Sequence, residues 1–303
     1  MNTNSSPASS SSSERALVLH GGGAAGNAWE IGVIAGFLNG GLDVTTADLI
    51  VGTSAGATAA AQITSASPAD LYASILDAPM PSRPGDGPAN VRAQVQPPID
   101  FLQRSTRVIE SSSDAADMRR RMGASALELD DQSDDAPQTR WRDTVAARIT
   151  SHDWPAQRIL ITAVDAHTGE GIAFDRESGV DLVDAIAAST SSGLPYRIGE
   201  KRYIDGGYRR NENVDLASGY SRVLVLSPFG GRTRHPLEWG MQLAAQIVEL
   251  EADGSRVETV FPDEDALAAF GGNMMNLAAR PAAARAGYEH GKRIAAPLKR
   301  FWE

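Results

Sequence analysis

The sequence predicts a layered α/β fold with a largely parallel sheet. Short apolar runs of strand length alternate with stretches of helical pattern, the order expected when helices connect parallel strands. Two of the runs lead through glycine-rich turns into a helix, at Gly21–Gly26 and at Gly52–Gly56. The chain has 303 residues, of which 42% are hydrophobic, so it can bury a sizeable core.

The first part of the chain predicts two strand–helix units. Each begins with a run of aliphatic residues and ends where glycine or proline interrupts the helical pattern. In chain order they are a strand at Ala16–His20, a helix at Asn27–Leu38, a strand at Asp48–Val51 and a helix at Ala55–Ser65.

The region from Pro68 to about Pro155 differs from the rest because it shows no β pattern. We interpret residues 68–155 as an inserted helical region or lid, with a proline- and glycine-rich loop at Met80–Pro88. The predicted helices are Ala69–Leu76, Asp100–Glu110, Asp114–Met122 and Trp141–Ile149.

The remaining elements alternate again. Two strands joined by the turn His167–Glu170 are followed by a helix, a brief strand before Asp205, and then further strands and helices. The predicted strands are Arg158–Val164, Gly171–Phe174, Tyr203-Ile204, Arg222–Ser227 and Val257–Phe261. The predicted helices are Asp181–Ala188, about Pro236–Glu251, Asp265–Ala278 and Ala282–Trp302.

Residues 1–14 are predicted to be a disordered tail, because a serine tract buries too little apolar surface to become ordered. This segment lacks the basic start and apolar core of a secretory signal, and no run of about 18 apolar residues predicts a transmembrane helix. We therefore expect a soluble cytoplasmic protein. Export by a route that reads no N-terminal signal stays open.

Composition excludes several kinds of site. The chain has no cysteine, which rules out disulfides, thiolate metal sites and a cysteine nucleophile. The five histidines show no metal-ligand spacing, so no metal is predicted. The net charge of −10 argues against a nucleic-acid partner and against electrostatic adsorption to an anionic membrane.

Gly52-Thr53-Ser54-Ala55-Gly56 is the most informative motif. It lies between a predicted strand and a predicted helix, where a sharp turn would expose the hydroxyl of Ser54. The first N–H groups of the helix would stabilise negative charge at the same place. Ser54 is therefore a candidate nucleophile, although a small residue capping a helix gives the same letters.

Three interpretations compete for the glycine loop, Gly21-Gly22-Gly23-Ala24-Ala25-Gly26. It matches Gly-x-Gly-x-x-Gly, the dinucleotide-binding fingerprint, but the second strand ends without the acidic residue that this interpretation requires. Its backbone N–H groups could instead form an oxyanion hole for Ser54, since both turns leave neighbouring parallel strands. The third interpretation is a purely structural turn.

Ser54 needs a general base. His235 and His290 follow Ser54 in the chain order of an α/β-hydrolase triad, but that fold places several strands between its glycine loop and its nucleophile. Asp205 is the other candidate, because it follows a predicted strand and precedes Gly206-Gly207. An isolated Asp-Gly pair is usually no more than a turn.

Together the three motifs resemble the patatin-like phospholipase family over roughly residues 15–230. The matching segments are Gly21–Gly26, Gly52–Gly56 and Asp205–Gly207, and Thr190–Pro195 is a looser fourth match. The resemblance implies a three-layer α/β/α fold and one catalytic domain at 15–303. It also implies a serine acyl hydrolase for lipid esters that works without a cofactor, with transient contact to a membrane surface left open.

The resemblance also implies roles for individual residues. Ser54 would be the nucleophile, Asp205 the general base, and the N–H groups of Gly22, Gly23 and Ala55 the oxyanion hole. The remaining motif glycines are Gly21, Gly26, Gly52, Gly56, Gly206 and Gly207.

One position departs from the family pattern. The family usually carries Arg or Lys where this chain has Ala25, and Arg197, Arg209 and Arg210 are candidates to replace that cation. Two alternative functions stay open: an acyltransferase on the same core, and an inactive dinucleotide-binding or signalling module.

Overall fold

An eight-stranded sheet forms the centre of the molecule. The computed structural model describes residues 14–79, 99–130 and 136–303, and these ranges contain all eight strands. They are β1 (Arg15–Leu19), β2 (Leu49–Gly52), β3 (Ile159–Asp165), β4 (Gly171–Phe174), β5 (Tyr196–Ile198), β6 (Lys201–Asp205), β7 (Arg222–Leu226) and β8 (Arg256–Val260). Strands β3, β2, β1, β7 and β8 pair in parallel in that order, whereas β4 and β6 pair antiparallel to β3, and β5 antiparallel to β6. The predicted mostly parallel sheet is confirmed.

Helices cover both faces of this sheet. They are α1 (Gly23–Asn39), α2 (Ala55–Ile63), α3 (Pro68–Asp77), α4 (Ile99–Ser111), α5 (Ala115–Asp130), α6 (Ala136–Ala146), α7 (Leu182–Ser189), α8 (Leu243–Ala252), α9 (Glu264–Phe270) and α10 (Arg280–Trp302). Alternate residues of the strands point to opposite faces. Leu17, for example, packs in the core shared with α1, α2, α7 and α10, while Val18 packs in the core shared with α8. The predicted layered α/β class is confirmed.

The register of β3 explains how distant parts of the chain meet. Ile161 pairs with Gly52 of β2 on one edge and with β4 on the other. Ala163 pairs with Asp205 of β6 and also with β4. Since β4 occupies one edge throughout, β2 and β6 follow each other along the opposite edge. Two residues of a strand span about 7 Å. The end of β6 therefore lies beside the turn that follows β2.

Helices α1 and α10 cross at very short range. A Cβ atom added to Gly32 of α1 would lie 2.2 Å from the carbonyl oxygen of Ala284, and one added to Gly287 of α10 would lie 2.4 Å from that of Trp29. Such distances are impossible for a real Cβ atom, so only glycine permits this contact. The crossing places the first residues of α10 beside the N-terminus of α1.

Several predicted elements were wrong in detail. The long helix about Pro236–Glu251 is interrupted, because Gly240 has a left-handed φ of 63° and ends a short 3₁₀ turn before α8 begins. The helix Asp265–Ala278 likewise ends at Phe270, followed by Gly271 with φ 61°. Strand β5 was missed. Helix α1 begins at Gly23, inside the glycine loop, rather than at Asn27.

The predicted tail and insertion fall only partly on the described residues. Of the tail at 1–14, only Glu14 is described, and its N–H donates to Asp48 Oδ2 over 3.0 Å, so this residue is held beside β1. The predicted loop Met80–Pro88 lies outside the described residues. Between α2 and β3 the described residues form helices α3 to α6 and no strand.

Candidate active site

Ser54 lies on a strained turn between β2 and α2. Its φ of 53° and ψ of −117° are unusual for a residue with a side chain and are typical of a nucleophile at a strand–helix turn. The buried hydroxyl of Ser189, on α7, accepts the Ser54 N–H over 2.9 Å and holds the turn. Gly56 has no room for a side chain, since an added Cβ atom would lie 2.1 Å from the carbonyl oxygen of Leu19.

The Ser54 hydroxyl meets Asp205. Ser54 Oγ donates to Asp205 Oδ2 over 2.8 Å, and the Gly207 N–H donates to Asp205 Oδ1, also over 2.8 Å. Burial raises the pKa of the Asp205 carboxyl to about 6, although these two donors act to lower it. The carboxyl is therefore still ionised at neutral pH, yet more basic than an exposed aspartate, as a general base requires.

A buried polar network joins the two turns that carry Ser54 and Asp205. The side-chain amide of Asn213 donates to the Thr53 hydroxyl over 3.0 Å and to the Gly206 carbonyl over 3.1 Å. The hydroxyl of Thr162, on β3, donates to the Thr53 hydroxyl over 3.0 Å. Asn213 is fully buried and left-handed, with φ 57°. Fully satisfied networks of this kind fix geometry.

Sequence reasoning named the motifs that contain Thr53 and Gly206 but missed Asn213, Thr162 and Ser189. The only sequence signal at Asn213 is the residue type, since asparagine tolerates a left-handed backbone better than most residues. Nothing in the sequence pairs Asn213 with Thr53, because they are 160 positions apart.

The glycine loop lies against Ser54. A Cβ atom added to Gly21 would lie 3.1 Å from Ser54 Cβ. The N–H groups of Gly22, Gly23 and Ala55 donate to no residue in the described parts of the chain. The last two begin helices, so their N–H groups have no partner within the helix. The predicted oxyanion donors are therefore without another partner among the described residues, and Gly22, Gly23 and Ala55 line the same cavity as Ser54.

A cavity of about 1850 Å³ opens over these residues. Ser54, Asp205 and the glycine loop line it, together with residues from α1, α3 and α6 and from the chain around Phe229–His235. This volume exceeds that of a usual small-molecule pocket, about 300–1,000 Å³, and could hold a large substrate.

The histidines do not take the position of a base. His235 lines the cavity, but its Nδ1 lies 3.1 Å from Asn211 Oδ1 and its pKa is lowered to about 4, by burial and then by Arg234. His290 Nδ1 lies 3.8 Å from Asp263 Oδ2, and His290 is not among the described residues that line the cavity. Among the hydrogen bonds of the described residues, neither histidine contacts Ser54, so the structure pairs the serine with Asp205 instead.

The arginines proposed to replace a cation at Ala25 lie elsewhere. Arg209 makes two hydrogen bonds of 2.9 and 2.8 Å to Asp215, and Arg210 makes two of 2.6 Å to Glu249. Arg197 is not among the described residues that line the cavity. Ala25 itself is fully buried, and its N–H donates to the Met274 carbonyl over 2.9 Å. None of these three arginines is among the described residues that line the cavity.

Residues 14–79, 99–130 and 136–303 contain no group of three histidine or acidic side chains placed to hold a metal ion. In these ranges, too, every helix is too short or too polar to cross a bilayer.

The chain matches a family model and several solved structures, among them VipD and ExoU. The model, described as patatin-like phospholipase, covers residues 17–218, well over half of the chain. VipD from Legionella pneumophila is 13% identical, with a TM-score of 0.42, and the match covers 94% of this chain and 67% of VipD. The type III effector protein ExoU is 16% identical, with a TM-score of 0.32, covering 92% of this chain and 54% of ExoU. No curated protein sequence matches.

Proposed function

The chain belongs to the patatin-like phospholipase family, and on that premise we propose that it is a serine acyl hydrolase that cleaves acyl esters of lipids. The observation that carries the proposal is the 2.8 Å hydrogen bond from Ser54 Oγ to Asp205 Oδ2. The backbone N–H groups of Gly22, Gly23 and Ala55, which have no partner among the described residues, line the same cavity. Family membership supports lipid hydrolysis in general.

In the proposed acylation step, Asp205 accepts the proton of Ser54 as the serine oxygen bonds to the ester carbonyl carbon. The carbonyl oxygen becomes an oxyanion and receives hydrogen bonds from the N–H groups of Gly22, Gly23 and Ala55. Each well-placed donor lowers the barrier by about 3–4 kcal/mol. The tetrahedral intermediate then collapses, the ester C–O bond breaks, and the leaving alcohol takes the proton from Asp205.

Deacylation repeats these steps with water. Asp205 accepts a proton from water as the water oxygen attacks the carbonyl carbon of acyl-Ser54. The same N–H groups stabilise the second oxyanion. The bond to Ser54 Oγ breaks, the carboxylic acid leaves, and Ser54 recovers its proton from Asp205. An acceptor alcohol in place of water would make the protein an acyltransferase.

Exposed apolar side chains at the cavity support brief contact with a lipid surface. Phe229, Met275 and Leu277 all line the cavity, and each is between 36% and 43% exposed. Apolar groups around an opening are suited to insertion among acyl chains. We therefore propose a lipid in a membrane or micelle as the substrate, with the cytoplasm as the expected compartment.

Fluorophosphonate labelling followed by intact mass tests the nucleophile. We expect one adduct on the wild type, none on Ser54→Ala, and one on the control Ser74→Ala, whose serine also lines the cavity. Turnover of a p-nitrophenyl acyl ester should follow the same pattern. An adduct on Ser54→Ala, or none on the wild type, would refute the proposal, and NADP titration would then test the dinucleotide-binding alternative. Product analysis with added alcohols separates hydrolase from acyltransferase.

A further inference from the structure

The charge of the cavity is opposite to that of the whole chain. The chain carries a net charge of −10. Among the described residues that line the cavity, however, there is one acidic side chain, Asp205, and there are five arginines. They are Arg140, Arg148, Arg232, Arg234 and Arg280. A concave surface with this excess of positive charge attracts anions.

Arg280 is the cation nearest to the glycine loop. It is the first residue of α10, and its guanidinium donates to the Ala24 carbonyl over 3.2 Å and to Asn27 Oδ1 over 3.0 Å. Both acceptors are neutral, and no carboxylate of the described residues forms an ion pair with it. Burial and then the nearby charge of Arg148 lower the pKa of Arg280 to about 10. A desolvated cation without a counter-ion is unfavourable, so a bound anion would stabilise this group.

Arg148 is the second cation of the pair. It follows α6, and its guanidinium lies 5.1 Å from the centre of the Trp141 ring rather than on a carboxylate. Its backbone carbonyl accepts a hydrogen bond of 2.8 Å from Gln62 Nε2. Although surrounded by protein, the Arg148 side chain is exposed to the cavity. Burial alone lowers its pKa, and no acidic group of the described residues opposes this.

Polar side chains connect the two arginines. Asn27 accepts from Arg280, and its Nδ2 donates to Gln62 Oε1 over 3.0 Å, while Gln62 holds the backbone of Arg148. Asn27 and Gln62 are both buried. This relay connects the guanidinium of Arg280 to the backbone of Arg148 across α1, α2 and the end of α6.

We propose that Arg148 and Arg280 form an anion subsite that binds the phosphate of an anionic lipid head group. This inference rests on the proposed function, because it names the substrate class of the same cavity. Guanidinium groups match the geometry of phosphate oxygens and bind them with paired hydrogen bonds. The remaining arginines of the cavity would repel a quaternary ammonium, so a lipid with net negative charge is favoured over a zwitterionic one.

The position of the subsite agrees with hydrolysis at Ser54. Arg280 binds the carbonyl of Ala24, the residue after the proposed oxyanion donor Gly23, and Asn27 Nδ2 lies 3.5 Å from the carbonyl of Ala55. A head group held here would place the glycerol esters near the hydroxyl.

Binding to the non-hydrolysing variant Ser54→Ala tests the subsite separately from turnover. Calorimetry below the critical micelle concentration would compare dihexanoyl phosphatidylglycerol with dihexanoyl phosphatidylcholine. We expect the anionic lipid to bind roughly tenfold more tightly, and Arg148→Gln or Arg280→Gln to remove most of that preference. Arg285→Gln is the matched control, because Arg285 is exposed on the same helix and does not line the cavity.

Each outcome has one meaning. An unchanged preference in both Arg148→Gln and Arg280→Gln would overturn the subsite, whatever the turnover. If Arg280→Gln does not fold, loss of the preference in Arg148→Gln alone would support the subsite. Arg148 is exposed, so its substitution should leave the fold intact. The arginine variants of Ser54→Ala could lose binding of phosphatidylglycerol while the wild-type protein, with Ser54 intact, hydrolyses no ester. In that case the subsite stands and the proposed function fails. In active enzyme, the same variants should raise KM for phosphatidylglycerol more than KM for phosphatidylcholine, whereas Arg285→Gln should leave both values unchanged.

Discussion

Helix α1 contains glycines in two regions, and the two regions make different use of them. At its N-terminus, Gly22 and Gly23 leave backbone N–H groups open toward a cavity. In its middle, Gly32 lets the backbone touch that of α10. The first region exposes the backbone for chemistry and the second buries it for packing. Replacing a glycine should therefore reduce activity in the first region and reduce stability in the second.

Two buried carboxyl groups repeat this contrast. Asp205, at the catalytic edge of the sheet, accepts hydrogen bonds from Ser54 and Gly207. Glu30, in the body of α1, is fully buried, and neither oxygen has a hydrogen-bond partner among the described residues. Burial raises the pKa of Glu30 well above its usual value. Only the first carboxyl contacts the Ser54 hydroxyl.

The largest expected effect is that of Asp205→Asn. Removing the base should lower kcat/KM for a p-nitrophenyl ester by about 10²–10⁴-fold, because proton transfer from Ser54 is lost. Glu30→Gln, which alters the other buried carboxyl, should change it less than about twofold. His235→Ala and His290→Ala should also retain turnover. An essential histidine would show that a triad is used and would remove the contrast between the two carboxyls.

The pH dependence of turnover also tests the contrast between Asp205 and Glu30. The base acts as a carboxylate, so with a pKa of about 6 the activity should be level above pH 7 and fall as Asp205 is protonated. Well below pH 6, kcat/KM should drop about tenfold per pH unit. The profile of Glu30→Gln should be the same as that of the wild type. Activity that stays level down to pH 4.5 would contradict a raised pKa at Asp205.

Asn213→Gly, at the same edge of the sheet as Asp205, should reduce turnover less than Asp205→Asn does. Glycine keeps the left-handed backbone but removes the amide that joins Thr53 to Gly206. We expect kcat to fall about 10–100-fold with little change in KM, because a shifted Asp205 binds substrate normally but accepts the proton poorly. The rate of fluorophosphonate labelling should fall in parallel. Equal labelling rates in variant and wild type would assign Asn213 a purely structural role.

The sequence predicted the contacts that local patterns encode. Apolar runs and glycine turns located β1, β2 and the turn at Ser54, and parallel neighbours place such turns at one edge of the sheet. The pairing of Ser54 with Asp205 was predicted from a family resemblance rather than from spacing. Asn213, Ser189 and Arg280 were missed, because their partners are distant in the chain and their residue types are common in turns or on surfaces.

The smallest expected effect on activity is that of Gly32→Ala, at the crossing of α1 and α10. An added Cβ atom would lie 2.2 Å from the Ala284 carbonyl oxygen, so the helices must separate. Overpacking costs about 1–3 kcal/mol and outweighs the roughly 1 kcal/mol that alanine gains in a helix. Urea denaturation should show this loss while kcat/KM stays unchanged. Gly272→Ala, which meets open space, is the control and should be neutral. A Gly32→Ala protein that is stable but inactive would show that the crossing sets the geometry of the glycine loop, and the two regions of α1 would then be one functional unit.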